Sequence, residues 1–496
     1  MMHRADAQAA VLDAAERAGI GKAESVRLVG ELGEAAAPAV ASLSSRDDEL
    51  DEMPDGYNVD WFNSFYAFVV IGGTAVVVQD RGPLLDRSGM RILKLDSFMA
   101  KYGNRYVERR NASGKAVAVG WGKAWLTDRR RRSFDGITFH PDPRHVAGPP
   151  GALNLWRGFA VEPRAGGSYT VFRDHLLTNV ARGDKALFQW IFGWFAQMVQ
   201  QPRLKPGTAI VLRGGMGVGK TKVGEVFGSL MPANYMLVDD DRYVTGNFNI
   251  HLVACLLLQA DEATWAGDRA AGGQLKGLVT AETRMLEAKG VDPVVMPNFT
   301  RLVMTSNDDW VVPAGKDERR FAVFDVDPRC AQNHEYFAEM MAELDAGGRE
   351  ALLADLLAFD LSTVNVRVIP RTSGLLEQKI RSLDPIEAWL LDRLKAGRPT
   401  RKLDHWPEFI STEAWCDDYV ASNERIGVRR KATETQFGMK IAKLLPGLRR
   451  GRSTVPMEGS AAVERRHGYW LPPLDECREN FAEMMGQPIE WDAGDG

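Results

Sequence analysis

Between residues 205 and about 330, short apolar runs alternate with stretches in which apolar residues recur at helical spacing. Ala209 to Arg213 (AIVLR), Leu252 to Ala260 (LVACLLLQA), Arg301 to Thr305 (RLVMT) and Phe321 to Val326 (FAVFDV) read as strands. Runs without polar alternation suit strands buried on both faces, as in a parallel sheet with helical crossovers. Upstream, Asp174 to Gln200 places Phe188, Ile191, Phe192, Phe195 and Met198 at helical intervals, predicting one or two helices packed on that sheet. Asp60 to Val78 carries two aromatic or β-branched runs around Gly72-Gly73, a hairpin signal.

These patterns predict an α/β chain in six segments. Residues 1–50 form a helical tail and linker that runs into the acidic stretch Ser44 to Glu52, and 51–150 a mixed α/β accessory domain. Residues 151–204 form a helical lead-in, 205–365 the sheet-bearing core, 366–403 a helical linker, and 404–496 a basic terminal module. Composition fits several folded domains: 496 residues, 45% hydrophobic and 26% charged. This excludes a disordered, collagen-like or coiled-coil chain. With 62 Lys+Arg against 66 Asp+Glu the net charge is -4, so any nucleic-acid contact must come from local patches. Cys255, Cys330, Cys416 and Cys477 are too scattered for a zinc ribbon, a redox CxxC or a disulfide framework. The N-terminal stretch lacks the apolar segment of a signal peptide, and no 18-residue apolar run exists. The expectation is a soluble cytoplasmic protein without a membrane partner.

The most specific chemistry is Gly214-Gly215-Met-Gly217-Val-Gly219-Lys220-Thr221, which fits G-x-x-x-x-G-K-[ST] between a predicted strand and a predicted helix. Glycines let backbone N–H groups turn inward around a phosphate at the positive end of the helix. Lys220 would reach the β- and γ-phosphates of ATP, and Thr221 would offer its hydroxyl to Mg²⁺. Asp261-Glu262 closes an apolar strand, where Asp261 suits the Mg²⁺ shell and Glu262 the activation of water. Asn307, after the RLVMT strand, suits a γ-phosphate sensor, although Asn also caps helices and closes Asx-turns. Arg319 or Arg320 could stabilise phosphoryl-transfer charge in trans, with the choice between them open.

In this order the glycine-rich loop, Asp-Glu pair, hairpin, Ser-Asn and Arg-Arg pair resemble the superfamily 3 helicases of the AAA+ class. The resemblance is nearer to the helicase half of phage and prophage primase-helicases, including poxvirus-type members and a deep-sea-vent phage primase-polymerase. It rests on NLWRGFAVEP (154–163), VTGNFN (244–249), ADEATWAGD (260–268), LKGLVTAETRMLEAKG (275–290), TSNDDWVVPAGKDERRF (305–321) and YWLPPLDECRENF (469–481). Trp265 and Asp268 share in it without an independent chemical role. It implies a P-loop AAA+ core, a homo-hexameric ring, ATP hydrolysis and movement on single-stranded or forked DNA, with a separate primase or polymerase as a further partner. It also implies that Lys289, at the turn of a hairpin over Met285 to Phe299, contacts DNA phosphate. The chain departs from the fused primase-helicases in leaving no room for a full primase-polymerase domain. The nearest carboxylate clusters, Asp239 to Asp241 and His140-Pro-Asp142, read as loop residues.

Residues 425–467 hold 11 Lys/Arg and three Glu. Helix, basic strand and hairpin there form a winged-helix-like pattern, with Arg429, Arg430, Lys440, Arg449 and Arg450 as candidate DNA contacts. The Arg129 to Arg132 run stays unassigned: it could touch DNA or an acidic neighbour, although a charge run is usually a solvated face. The main functional expectation is an ATP-dependent DNA helicase of phage or mobile-element replication. The rival is an ATP-switched, DNA-binding replication initiator or loader with little unwinding.

Overall fold

The computed structural model describes residues 53–80, 90–144, 147–240, 242–246, 249–262, 269–288, 291–425, 432–456 and 463–491. The predicted helical tail, Trp265, Asp268, Lys289, Arg429 and Arg430 lie outside them. The chain divides into two compact units, with the boundary at Ser133/Phe134 and the Val70–Thr74 turn grouped with the second.

The first unit begins with α1 (Val59–Phe65), whose amide groups are capped by the Asn58 side chain at Asp60 and Trp61. The predicted hairpin is present as β1 (Tyr66–Ile71) and β2 (Thr74–Gln79), but the DWFNSF stretch before it is this helix rather than strand. The unit continues through β3 (Arg91–Lys94), α2 (Leu95–Lys101), β4 (Tyr106–Arg110), β5 (Ala116–Gly120), α3 (Trp121–Leu126) and β6 (Ser133–Phe134). The first sheet runs β3-β2-β1-β6, and β4 pairs with β5. Phe62, Tyr66, Phe98, Trp121 and Trp125 fill its core. Three residues of the arginine run are bound within the unit. Arg132 pairs with the buried Asp80, Arg131 lies over the Phe68 ring at 3.9 Å, and Arg130 faces Asp60.

The second unit enters through β7 (Gly136–Thr138), β8 (Ala152–Asn154) and α4 (Thr170–Asp174). A π-helical turn, His175–Val180, extends α4. The buried α5 (Lys185–Gln200) follows, capped by Asp184. Next come β9 (Ala209–Arg213), α6 (Lys220–Gly228), β10 (Tyr235–Val238), α7 (Arg242–Thr245), β11 (Leu257–Ala260) and α8 (Arg269–Thr280). A hairpin of β12 (Thr283–Ala288) and β13 (Val291–Pro297) leads to β14 (Arg301–Ser306) and β15 (Phe321–Asp325). Five strands form one parallel sheet in the order β10-β11-β14-β9-β15. The predicted long strand from Leu252 is shorter than its apolar run. Its first half is a turn buried against Asn234 and Thr300, whose side chains bond the carbonyls of Ala254 and Cys255. Apolarity there reports burial, which a turn satisfies when its backbone finds partners. The YMLV strand β10 escaped the pattern reading because four residues are too few to show a period.

Beyond the sheet lie α9 (His334–Glu343), α10 (Arg349–Ala358), α11 (Ser373–Arg381) and α12 (Pro385–Lys395). The terminal part adds β16 (Phe409–Ser411), α13 (Thr412–Arg425), α14 (Glu434–Leu444), β17 (Arg449–Pro456), β18 (Val463–Trp470) and α15 (Leu474–Met485). Its antiparallel sheet runs β16-β18-β17. Trp389, Trp415, Tyr419, Phe437 and Phe481 form its core, which α12 shares. All four cysteines are free thiols.

Candidate functional site

β9 ends at Arg213 on the carboxyl edge of the sheet, between β14 and β15. The next strand in sequence, β10, lies at the far end on the β14 side, whereas β15 lies on the other side. Ligands of open α/β sheets bind outside the carboxyl ends of strands where the order switches in this way. The glycine-rich loop occupies that point. Gly214, Gly217 and Gly219 take φ of 156°, 71° and 88°, which side-chain-bearing residues rarely adopt. Gly219 caps α6, so the first amides of the helix open into the loop. A Cβ on Gly219 would also meet His175 and Phe337 at 2.6 and 2.7 Å.

Lys220 is buried and donates to the carbonyls of Gly214 and Gly215 and to Asn307 Oδ1, at 2.8, 2.6 and 2.8 Å. Burial lowers its pKa, with Asp261 and Glu262 opposing. Thr221 Oγ1 donates to the Asp261 carboxylate at 3.2 Å, and Thr305 on β14 donates to the same group. Asp261 follows β11, and Asn307 follows β14. Asn307 Nδ2 lies 3.5 Å from Glu262 Oε1. Glu262 is exposed and has φ of 51°, a costly conformation of the kind that clusters at functional sites. The structure therefore gathers Lys220, Thr221, Asp261, Glu262 and Asn307 from three strand ends. Lys220 and the loop amides can take a phosphoanion, and the Thr221 hydroxyl with the Asp261 carboxylate can take a hard cation.

Several residues that the sequence reading passed over build this arrangement. Gln259, fully buried on β11, donates to the Thr221 carbonyl at 3.0 Å and accepts from Tyr235 at 2.7 Å. It passes so close to α6 that a Cβ on Gly224 would lie 1.9 Å from its Oε1. His175 sits against Gly219 with its ring fully buried, and Asn179 contacts its Nδ1 at 2.9 Å. Burial lowers the His175 pKa to about 4 against the weaker effects of the Gly219 backbone and Asp174, so the ring is neutral. Arg213 pairs with Asp325 at 2.6 Å and with Glu377 of α11, and donates to the Asp309 carbonyl. Only the glycine at 224 offered a hint, since glycine is disfavoured inside a helix unless another chain approaches closely.

Arg319 and Arg320 do not join this cluster. The Arg320 carbonyl accepts from Ala209 N, at the amino end of β9. At about 3.3 Å per residue, the length of β9 puts them roughly 15 Å from the loop. Arg320 leans on the buried Glu318 at 3.9 Å, whereas Arg319 is exposed. In the terminal module, Arg449 and Arg450 stand exposed on β17. Lys440 is held instead by Asp384 and Glu387, each at 2.6 Å, and Glu387 also binds Lys316.

Four likenesses accompany this geometry. A family of unknown function, DUF5906, matches residues 212–320, which run from the end of β9 to Arg320. The chain is 24% identical over 233 residues to the DNA primase-polymerase of Nitratiruptor phage NrS-1, covering 44% of this chain and 32% of that protein. Two apo structures of the NrS-1 C-terminal region share the fold. One has TM-score 0.55 and 14% identity, over 82% of this chain and 96% of that one. The other has TM-score 0.54 and 15% identity, over 84% and 98%. The chain thus spans about a third of the length of the curated phage replication protein it matches. No described helix is long and apolar enough to cross a membrane.

Proposed function

We propose that the chain is an ATP-dependent superfamily 3 DNA helicase with a P-loop AAA+ core, acting in phage or mobile-element replication. The observation that carries this reading is the convergence of Lys220, Thr221, Asp261, Glu262 and Asn307 at the switch point of a parallel sheet. The likeness to a phage primase-polymerase supports the DNA-replication setting.

In this reading the loop amides and Lys220 hold the β- and γ-phosphates, displacing the lysine from the Gly214 and Gly215 carbonyls. Thr221 and Asp261 would hold Mg²⁺, which would supply charge neutralisation on the transferred phosphoryl group. Glu262 takes a proton from the attacking water, and Asn307 reports the γ-phosphate to Lys220 and Glu262. Arg319 lies too far from the loop of its own chain, which favours supply in trans within a homo-hexamer. The β12–β13 hairpin and Lys289, which lies between its two strands in sequence, contact single-stranded DNA, and a separate primase or polymerase makes the primers.

The exposed Arg449 and Arg450 on the helix–hairpin module favour a second reading, an ATP-switched origin binder. A forked duplex decides between them. The helicase reading expects ATP-driven strand separation that Glu262→Gln abolishes. A sequence-specific footprint without strand separation selects the initiator.

A further inference from the structure

A second polar cleft, of about 260 Å³, lies at the base of the β12–β13 hairpin. Val244, Gly246, Gln274, Gly277, Thr283 and Arg284 are among the residues lining it. Arg284 reaches it from the inner face of the hairpin, where its cross-strand partner is the buried Met296. The guanidinium makes one long hydrogen bond, Nη2 to the Val244 carbonyl at 3.4 Å, and its buried Nη1 has no partner. Glu282, the acid nearest in sequence, makes no ion pair with it.

The surroundings make the charge harder to hold. Lys205 is close enough to both Arg301 and Arg284 that, after burial, their charges lower its pKa to about 7. Arg301 is fully buried and bonds only neutral oxygens, those of Pro202, Phe299, Gln197, Gln201 and Leu204. Lys205 donates to the Leu278 and Ala281 carbonyls. Among the described residues no carboxylate pairs with any of the three. Buried charges are ordinarily paired, because desolvation otherwise costs several kcal/mol. A cationic cluster with no counter-ion among the described residues, one member of which opens into a polar cleft, calls for an anion from outside. Space is provided: Gly277 of α8 faces the cleft, and a Cβ there would meet nothing within 4 Å.

The outer face of the hairpin points to the kind of anion. Met285 and Val295 oppose each other in register and are 55% and 60% exposed, beside the exposed Thr283 and Pro297. This combination of a fork-shaped cation and a strand surface that is uncharged and partly apolar at these four positions suits a sugar–phosphate backbone, since Arg binds phosphate bidentately. We infer that Arg284 and this cleft form a phosphate-binding site that takes a backbone phosphate of single-stranded DNA passing along the hairpin. The DNA source rests on the helicase reading; the phosphate chemistry does not.

The test uses the full chain and a fluorescent oligo-dT, with binding read by anisotropy across a salt series and nucleotide affinity read separately with a fluorescent ATP analogue. Arg284→Gln should weaken DNA binding at least about tenfold and reduce the salt slope by roughly one, with ATP-analogue affinity unchanged. Gln274→Glu, on an exposed helical position, should cause a similar loss by placing a carboxylate in the cleft, without touching the hairpin. DNA binding that both variants leave intact overturns the site. So does loss of the oligomer in Arg284→Gln with DNA affinity retained, which would assign the guanidinium to a neighbour's carboxylate. If the wild type binds no single-stranded DNA, the helicase reading fails, and thermal melting in inorganic phosphate takes over. Stabilisation of the wild type but not of Arg284→Gln then identifies a free-phosphate site, and no difference overturns the phosphate assignment itself.

Discussion

Gly224→Ala is a substitution whose effect should run against helix propensity. In an exposed helix interior, Gly to Ala gains about 1 kcal/mol. Here the added Cβ would sit 1.9 Å from Gln259 Oε1 and 2.5 Å from its Cδ, so the amide must move. Gln259 is fully buried, and moving it breaks its bonds to the Thr221 carbonyl and Tyr235 hydroxyl. Each such bond contributes about 1 kcal/mol, and a buried amide left unsatisfied costs a further 1–3 kcal/mol, roughly. Overpacking adds about 1–3 kcal/mol. The sum, less the propensity gain, is a net loss of roughly 3–7 kcal/mol, seen as a melting temperature lowered by several degrees or more. Because Thr221 is tethered through Gln259, affinity for an ATP analogue should fall as well. Thermal melting of the four proteins of a Gly224→Ala, Gln259→Ala cycle isolates the cause. In the Gln259→Ala background the alanine at 224 should be neutral or stabilising. A higher melting temperature for Gly224→Ala alone would refute the close-approach argument.

His175 carries a pH prediction. Its pKa in the folded protein, about 4, lies below the ordinary 6.5 because burial disfavours the imidazolium. Its contribution to stability is therefore intact above pH 6.5 and is lost as the pH falls towards 4, to on the order of 3 kcal/mol. Urea melts of wild type and His175→Gln over that range should converge at the acid end; parallel curves would contradict the assignment. Arg319→Ala should abolish hydrolysis without lowering the melting temperature or ATP affinity, and mixing it with Lys220→Ala subunits should restore part of the activity. A mixture as inactive as its components would argue against supply in trans. Lys440→Met should cost the terminal module about 1 kcal/mol of stability, because its ion pairs with Asp384 and Glu387 are partly exposed. A large loss of DNA affinity at unchanged stability would instead return Lys440 to the DNA surface.

The strands that carry the site were legible because β9, β14 and β15 are apolar on both faces and short enough for no other element to fit. The chemistry was legible because the loop, Asp261-Glu262 and Asn307 each follow such a run directly. Sequence spacing could not show that β11 occupies only the last four residues of its apolar stretch, since turn and strand are equally buried there. Nor could it separate Arg319 from Arg320, because the difference lies in which one folds onto Glu318. Lys440 carried the same ambiguity: a lysine on a basic helix looks available until Asp384 and Glu387, more than 50 residues upstream, close on it. His175 and Gln259 gave no signal because their roles depend on contacts with Gly219 and Gly224 across the fold.

The central claim joins nucleotide hydrolysis at Lys220 to contact with single-stranded DNA, and its most direct measurement is the ATP hydrolysis rate with and without single-stranded DNA. The wild type should hydrolyse ATP faster with DNA, Lys220→Ala should be inactive in both conditions, and Lys289→Ala should hydrolyse ATP yet ignore DNA. Slow hydrolysis that is indifferent to DNA in the wild type would contradict the motor and leave the ATP-switched origin binder as the better account.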